Sequence, residues 1–187
     1  MSPAVSPELA RIEGPGLVLR LITPEDAAYV HGLRLDPAYN AHLSEVRGTV
    51  ADQRGWIESY KTREAAGQEF YYIITRSDGT RCGTVRLYDI TSDSFTWGSW
   101  ILDQNKPRKA ALESAVLSFG AGFDGLGAAL AHVDVRRDNT HATAFYRRFG
   151  MTETHRTDRD IFFTYPRARF MADRAGYRAL LKQTGHP

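Results

Sequence analysis

Between Asp134 and Met151 the chain carries four polar side chains that a plain packing unit does not need: Asp134, Arg136, Asn139 and Tyr146. A carboxylate such as Asp134 is a candidate proton acceptor, and a phenol such as Tyr146, protonated near neutral pH, a candidate donor. The stretch reads as a strand, Leu130 to Arg136, followed by a helix, Asn139 to Phe149, with Gly150 just past its end. Alternation sends Ala131, Val133 and Val135 to one face of the strand and His132, Asp134 and Arg136 to the other. Three ionisable groups on one face need partners or a wet cleft. An edge strand or a ladder of ion pairs would also accommodate them. On the helix, Asn139, Ala142 and Tyr146 share one stripe, and Phe145 and Phe149 form an apolar pair on another. A capping asparagine and an interfacial tyrosine are the plainer reading of the same two residues.

The elements that must position this unit are also legible. Leu17 to Ile22 is a short strand, and Thr23-Pro24-Glu25-Asp26 opens a helix that Asp36-Pro37 closes near Leu35. Thr49 to Asp52 is a capping-box variant ahead of a helix carrying Trp56, Ile57 and Tyr60. Three strands follow, Phe70 to Arg76, Arg81 to Ile90 and Phe95 to Leu102, separated by turn signals at 77–80 and 91–94. They predict an antiparallel meander. After Pro107, Leu112, Ala115, Val116, Phe119 and Phe123 keep a helical period up to Gly125-Leu126-Gly127. Met151 to His155 and Asp160 to Tyr165 form a last strand pair, and Arg167 to Gln183 a tail helix. The order predicts an α/β (α+β) fold, a mostly antiparallel mixed sheet of about seven strands flanked by helices.

At 187 residues, with 42% hydrophobic and 25% charged residues, the chain has the make-up of one globular domain. A net charge of +2 is too small to imply a nucleic-acid partner. The lone cysteine, Cys82, rules out an internal disulfide framework, and with no His-Asp pattern nearby it reads as an idle thiol. No apolar run approaches membrane-spanning length, and the first sixteen residues, with three prolines, do not read as a signal peptide. A cytoplasmic protein is expected by elimination, and a homodimer on base rate alone.

The run Val135-Arg136-x-x-Asn139-x-x-Ala142-x-x-Phe145-Tyr146-x-x-x-Gly150-Met151 resembles the signature of the GNAT N-acetyltransferases almost position for position, with Met151 in place of a final Phe. The resemblance implies acetyl-CoA as co-substrate and direct transfer of its acetyl group to an amine. It implies that Asn139 helps hold the pantetheine arm, that Tyr146 lies near the sulfur as general acid, and that Asp134 is the general base. Strand backbone N–H groups would stabilise charge on the acyl oxygen.

The same resemblance places a pyrophosphate loop at 104–110, with cofactor contacts at Ile101, Leu102, Asp103, Lys106, Arg108, Lys109 and Ala110, joined by Asn139, Ala142 and Tyr146. Both glycines usual in that loop are missing here. Pro107 stands at the first and Lys109 at the second. Either the basic side chains replace some backbone contacts, or the domain is a non-catalytic module that binds CoA or another ligand. Nucleic-acid binding by so small a basic patch is a weak third reading.

Arg34 to Asn40, followed by Gln53-x-x-Trp56, loosely resembles GNAT members acting on amino sugars, often nucleotide-linked. Arg34, Tyr39, Tyr88 and Trp100 are therefore expected around the acceptor, a small-molecule amine, while Trp56 by itself reads as core. The expected division is a flexible arm (1–16), a GNAT domain (17–165) and a C-terminal helical extension (166–187).

Overall fold

The computed structural model describes residues 5–43 and 45–183. Pro7–Ala10 forms one helical turn (α1) and Arg11–Glu13 a short strand (β1) ahead of β2, Leu17–Leu21. A 3-10 turn, Pro24–Asp26, closed by a Thr23–Asp26 capping box, leads into α2, Ala27–Leu35. Pro37–Asn40 is α3, and a second capping box, Thr49–Asp52, starts α4, Val50–Ala65. The meander is β3, Phe70–Arg76, β4, Arg81–Tyr88, and β5, Ser94–Leu102. Then come α5, Ala110–Gly120, which loosens into a π-helical turn at Ala121–Gly125, and β6, Leu130–Arg136. Last are α6, Thr140–Phe149, β7, Thr152–Arg156, β8, Asp160–Pro166, and α7, Arg167–Lys182.

The strands form one eight-stranded sheet in the order β1-β2-β3-β4-β5-β6-β8-β7. Every neighbouring pair is antiparallel except β5–β6. On one face α2 and α4 bury Ile22, Val30, Ile57 and Tyr60 against Tyr71 and Ile73. The larger core lies on the other face, where Phe119 of α5 and Phe149 of α6 pack with Trp97, Val133 and Phe163.

Two segments depart from expectation. The first four residues of the expected arm lie outside the described ones, but 7–13 is ordered structure. Pairing β1 to β2 adds an eighth strand, and Leu9 is buried with its carbonyl accepting the Tyr72 hydroxyl at 2.7 Å. A three-residue strand carries too little alternation to be seen without its partner. The tail helix enters the main core: Phe170 is fully buried beside Phe123, and Tyr177 stacks on Phe149 with ring centroids 4.6 Å apart. No helix among the described residues is long and apolar enough to cross a membrane.

Glu113 fastens the first turn of α5 to the β1–β2 turn. Its buried carboxylate accepts backbone N–H bonds from Gly16 at 3.0 Å and Leu17 at 2.6 Å. Glu113→Ala strands those donors, each costing about 1–3 kcal/mol when buried. The melting temperature is expected to fall by roughly 5 °C or more; an unchanged melting curve would show that the pin is dispensable.

Candidate active site

β5 and β6 pair over only three positions, Ser94↔Leu130, Phe95↔Ala131 and Thr96↔His132. Beyond them β5 stays with β4 to Leu102, while β6 stays with β8 to Arg136. The two strands therefore splay, and the facing edges of Trp97–Leu102 and Val133–Arg136 form no ladder with each other. Backbone donors and acceptors in such a gap need an outside partner.

A β-bulge sits on the β5 side of the gap. Thr84 pairs with Ile101 and Arg86 with Gly98, so two residues, Ser99 and Trp100, face one on β4. Ser99 adopts φ +50°, a left-handed conformation that a non-glycine residue reaches only at a cost, and Thr84 Oγ1 donates to its carbonyl at 2.9 Å. The bulge reverses the side on which Trp100 falls. Simple alternation puts Trp100 with Thr96 and Tyr88. Here its ring lies 5.1 Å from that of the core residue Trp97, and its indole N–H donates to Ser114 Oγ of α5 at 3.0 Å. Trp97 likewise donates to Ser118 Oγ at 2.8 Å.

Asp134 lies on the face opposite the larger core, the one that also carries α2 and α4, as its alternation requires, although β6 is an interior strand. It lines a cavity of about 190 Å³ with Tyr88, His132, and His155 stacked on Phe162. Partial burial raises the Asp134 carboxyl above its ordinary range, and neighbouring Asp160 and Asp89 add to the rise. Arg136 is 3.8 Å from Asp160, so the ion pair forms beside Asp134, whose carboxylate has no ion-pair partner among the described residues. Tyr146 approaches from the helix side, its ring between Trp97 and Phe163, both with centroids at 5.8 Å. Burial, reinforced by Asp134 and Tyr88, pushes its hydroxyl far up, so it stays protonated at any neutral pH. Burial and Asp134 push Tyr88 up to about 12. Gly98 makes room for Tyr88, since a Cβ there would lie 3.0 Å from the Tyr88 hydroxyl. The gap thus brings Asp134, Tyr88 and Tyr146 into electrostatic contact from two sides of the sheet.

On the helix side, Trp100, Ile101, Leu102, Lys106, Asn139 and Ala142 line a groove of about 290 Å³. Asn139 caps α6, its Oδ1 accepting from the Ala142 N–H at 3.2 Å, so the capping role and a place in the groove coexist. Tyr39 also borders this groove. Its hydroxyl donates to Gln104 Oε1 at 2.5 Å and accepts the Gln104 N–H at 3.0 Å. Nearby, His42 Nδ1 is 3.1 Å from Asp138. Of the four residues expected at the acceptor, Tyr39 and Trp100 thus stand on the groove side. Tyr88 stands beside Asp134, and Arg34 farther along the open face. Arg34 shares a recess there with Gln53, Trp56 and Arg86. Cys82 is buried, and burial pushes its thiol up to about 11, which removes it as a nucleophile near neutral pH. Among the described residues no cluster of three His, Cys, Asp or Glu could hold a metal ion.

Residues 16–152 match the family profile described as an acetyltransferase (GNAT) domain. The chain belongs to the GNAT family of acetyltransferases. Among solved structures, an apo nucleotide-linked sugar GNAT, FdhC, is 36% identical, with a TM-score of 0.83 over 89% of this chain and 96% of that one. A spermidine N-acetyltransferase from Vibrio cholerae, in complex with CoA and spermine, is 16% identical, with a TM-score of 0.73 over 83% of this chain and 98% of its own. A ribosomal-protein-S5-alanine acetyltransferase from Vibrio fischeri is 12% identical, with a TM-score of 0.71 over 86% and 98%. The latter two show the fold alone. No curated protein sequence matches the chain significantly.

The acyl donor of a GNAT enzyme is acetyl-CoA, and the groove offers groups suited to an amide-bearing arm and an anionic end. The splayed edge of β5 offers unpaired backbone to an extended arm carrying amides. At the far end the N–H groups of Ala111 and Leu112 open α5 without a protein partner among the described residues. The loop keeps a glycine-like shape without glycine: Lys109, at the position of the second family glycine, has φ +64°. Its Nζ turns away and donates to the carbonyls of Leu180 and Gln183 at the end of α7, at 2.5 and 2.6 Å. Asp103 is buried too, holding the Tyr29 hydroxyl at 2.7 Å and the Asn105 N–H at 2.8 Å, so it shapes the loop from inside. Ala110 is likewise buried. Of the basic residues, Lys106 and Arg108 are exposed and make no ion pair among the described residues, and Lys106 borders the groove.

The three cations are therefore expected to act unequally. Neutralising Lys106 and Arg108 together should weaken acetyl-CoA binding and flatten its salt dependence, by about tenfold in Kd at low salt. Lys109→Met should leave binding within roughly threefold and lower the melting temperature instead, because it uncaps α7. Calorimetric titration at two salt concentrations checks both, and equal effects from all three cations would contradict this division.

Proposed function

We propose that the chain transfers the acetyl group of acetyl-CoA to the primary amine of a nucleotide-linked amino sugar. The observation that carries the reading is the open sheet face that runs from Asp134 and Tyr88 to the Arg34–Trp56 recess. Arg86 joins the two ends, its guanidinium 4.6 Å from the Tyr88 ring centroid and 5.6 Å from that of Trp56. An acceptor with an amine at one end and an anionic, ring-bearing portion at the other matches that polarity. The likeness to FdhC, a nucleotide-linked sugar GNAT, supports the same acceptor class. The recess lined by Arg34 and Arg86 has no carboxylate among its described lining residues, which a polycation such as a polyamine would need.

Acetyl-CoA supplies a thioester carbonyl open to attack by an amine. Asp134, whose proton affinity is raised by burial, takes the proton of the acceptor ammonium, directly or through one water. Backbone N–H groups at the splayed edge of β5 steady the charge that builds on the acyl oxygen. Tyr146, held protonated by its buried setting, gives its hydroxyl proton to the departing sulfur. Direct transfer needs no enzyme nucleophile, consistent with the protonated Cys82.

Thiol release measured over a panel of amines should show the highest kcat/KM for a nucleotide-linked amino sugar. Faster turnover of a polyamine or a peptide N-terminus would overturn the acceptor class. Tyr146→Phe should lower kcat by about a hundredfold or more, with acetyl-CoA affinity within roughly threefold; an undiminished kcat would remove the acid. Asp134→Asn should cost most between the titration of the carboxyl and that of the acceptor amine. Below that window the wild-type carboxyl is itself protonated, and above it the amine needs no base. A loss of equal size at every pH would contradict the role of base.

A further inference from the structure

The recess between α2 and α4 holds one buried polar atom that the protein leaves unpaired and, beside it, a carboxamide that faces the cavity. His31 of α2 is 9% exposed, and its Nδ1 has no hydrogen-bond partner. Gln53 of α4 is 8% exposed, and its carboxamide makes no hydrogen bond among the described residues. Both line one cavity of about 300 Å³, bordered by Trp56 and Arg34. Thr49 and Asp52 on its rim are occupied with each other in the α4 capping box. An unpaired buried polar group costs about 1–3 kcal/mol. A ligand that pairs with His31 Nδ1 removes that cost, and Gln53 offers it a second anchor.

The chemistry of the lining narrows the ligand. A carboxamide offers a donor and an acceptor side by side, and an imidazole offers one of either kind. Trp56, stacked on Tyr60 at 5.8 Å, remains 37% exposed at the rim and presents apolar ring surface. An alkyl chain would leave both polar groups unpaired, and a phosphate, though Arg34 and Arg47 could meet it, would leave the acceptor of Gln53 and the Trp56 ring unused. A flat heteroaromatic ring with carbonyl and N–H groups on its edge meets the whole set. Gln53, Trp56 and Arg34 also line the deeper pocket of about 130 Å³ that ends at Arg86 and Ser99, so the recess opens towards the site of transfer.

We propose that this recess is a nucleobase subsite, in which His31 and Gln53 read the hydrogen-bonding edge of the base and Trp56 packs on its ring. The proposal rests on the nucleotide-linked acceptor argued above. It makes His31 and Gln53 specificity-determining residues that never meet the reacting atoms.

His31→Phe and Gln53→Leu keep size while removing the polar edge, and circular-dichroism melting confirms that each variant folds. In the wild type, a nucleoside diphosphate lacking the sugar amine should inhibit competitively against the nucleotide-linked acceptor. Each variant should raise the acceptor KM and that inhibition constant about tenfold, with kcat within roughly twofold. The KM for the free amino sugar and the Kd for acetyl-CoA should stay unchanged. A merely structural role would move kcat and acetyl-CoA affinity as well. Absence of competition in the wild type, or an unchanged KM in both variants, would overturn the subsite. If no nucleotide-linked amino sugar is turned over, the acceptor reading fails by itself. Calorimetric binding of the nucleoside diphosphate to the wild type and to His31→Phe then decides the subsite, which stands if binding weakens in the variant and falls if it does not.

Discussion

The site depends on a pairing that stops. β5 and β6 share three rungs of parallel ladder and then separate, because β5 remains bound to β4 and β6 to β8. A sheet that opens in its middle exposes backbone polar groups where they are most costly to leave unpaired, and so creates a demand for an extended, amide-bearing ligand. The bulge at Ser99 belongs to the same feature. It lets β5 keep its bonds to β4 while turning Trp100 towards α5, which clears the open face for Tyr88 and gives the groove an aromatic wall. The cost of a left-handed serine is sustained by a fixed strand register on the β4 side and a core of stacked rings on the helix side.

The gap also lets groups from opposite faces meet. Asp134 stands on one face and Tyr146 rises from the core face; burial raises both, and the Asp134 charge adds to the rise at Tyr146. A carboxyl modestly raised and a phenol raised far beyond neutrality are a base and an acid set apart by environment rather than by residue type. The cofactor loop uses a different economy. Its backbone retains a turn that glycine would adopt freely, while Lys109 is spent on the end of α7. The tail helix thereby stabilises the loop conformation, and the charge available to an anion comes from Lys106, Arg108 and the start of α5.

Much of this was legible because it is local. The strands Phe70–Arg76 and Leu130–Arg136 fall where alternation and turn residues place them, and α6 ends at Gly150, which has φ +103°. The pairing of Asn139 and Ala142 on one groove follows from helical spacing alone. What escaped is set by distant contacts. β1 exists because β2 pairs with it, and Lys109 is claimed by carbonyls about seventy positions away. Trp100 changed sides because one extra residue entered β5, and no side-chain pattern marks that insertion. Nothing in the sequence marks His31; only the packing around α2 buries its ring and leaves Nδ1 unpaired.

On this reading the splay between β5 and β6, continued to the start of α5, holds the acyl donor although the loop lacks glycines. Amide hydrogen exchange with and without CoA tests it most directly. Protection is expected to rise at the Leu102, Ala111 and Leu112 amides on saturation, while β2 and β3 exchange as before. Saturating CoA that leaves those three amides unchanged would overturn this.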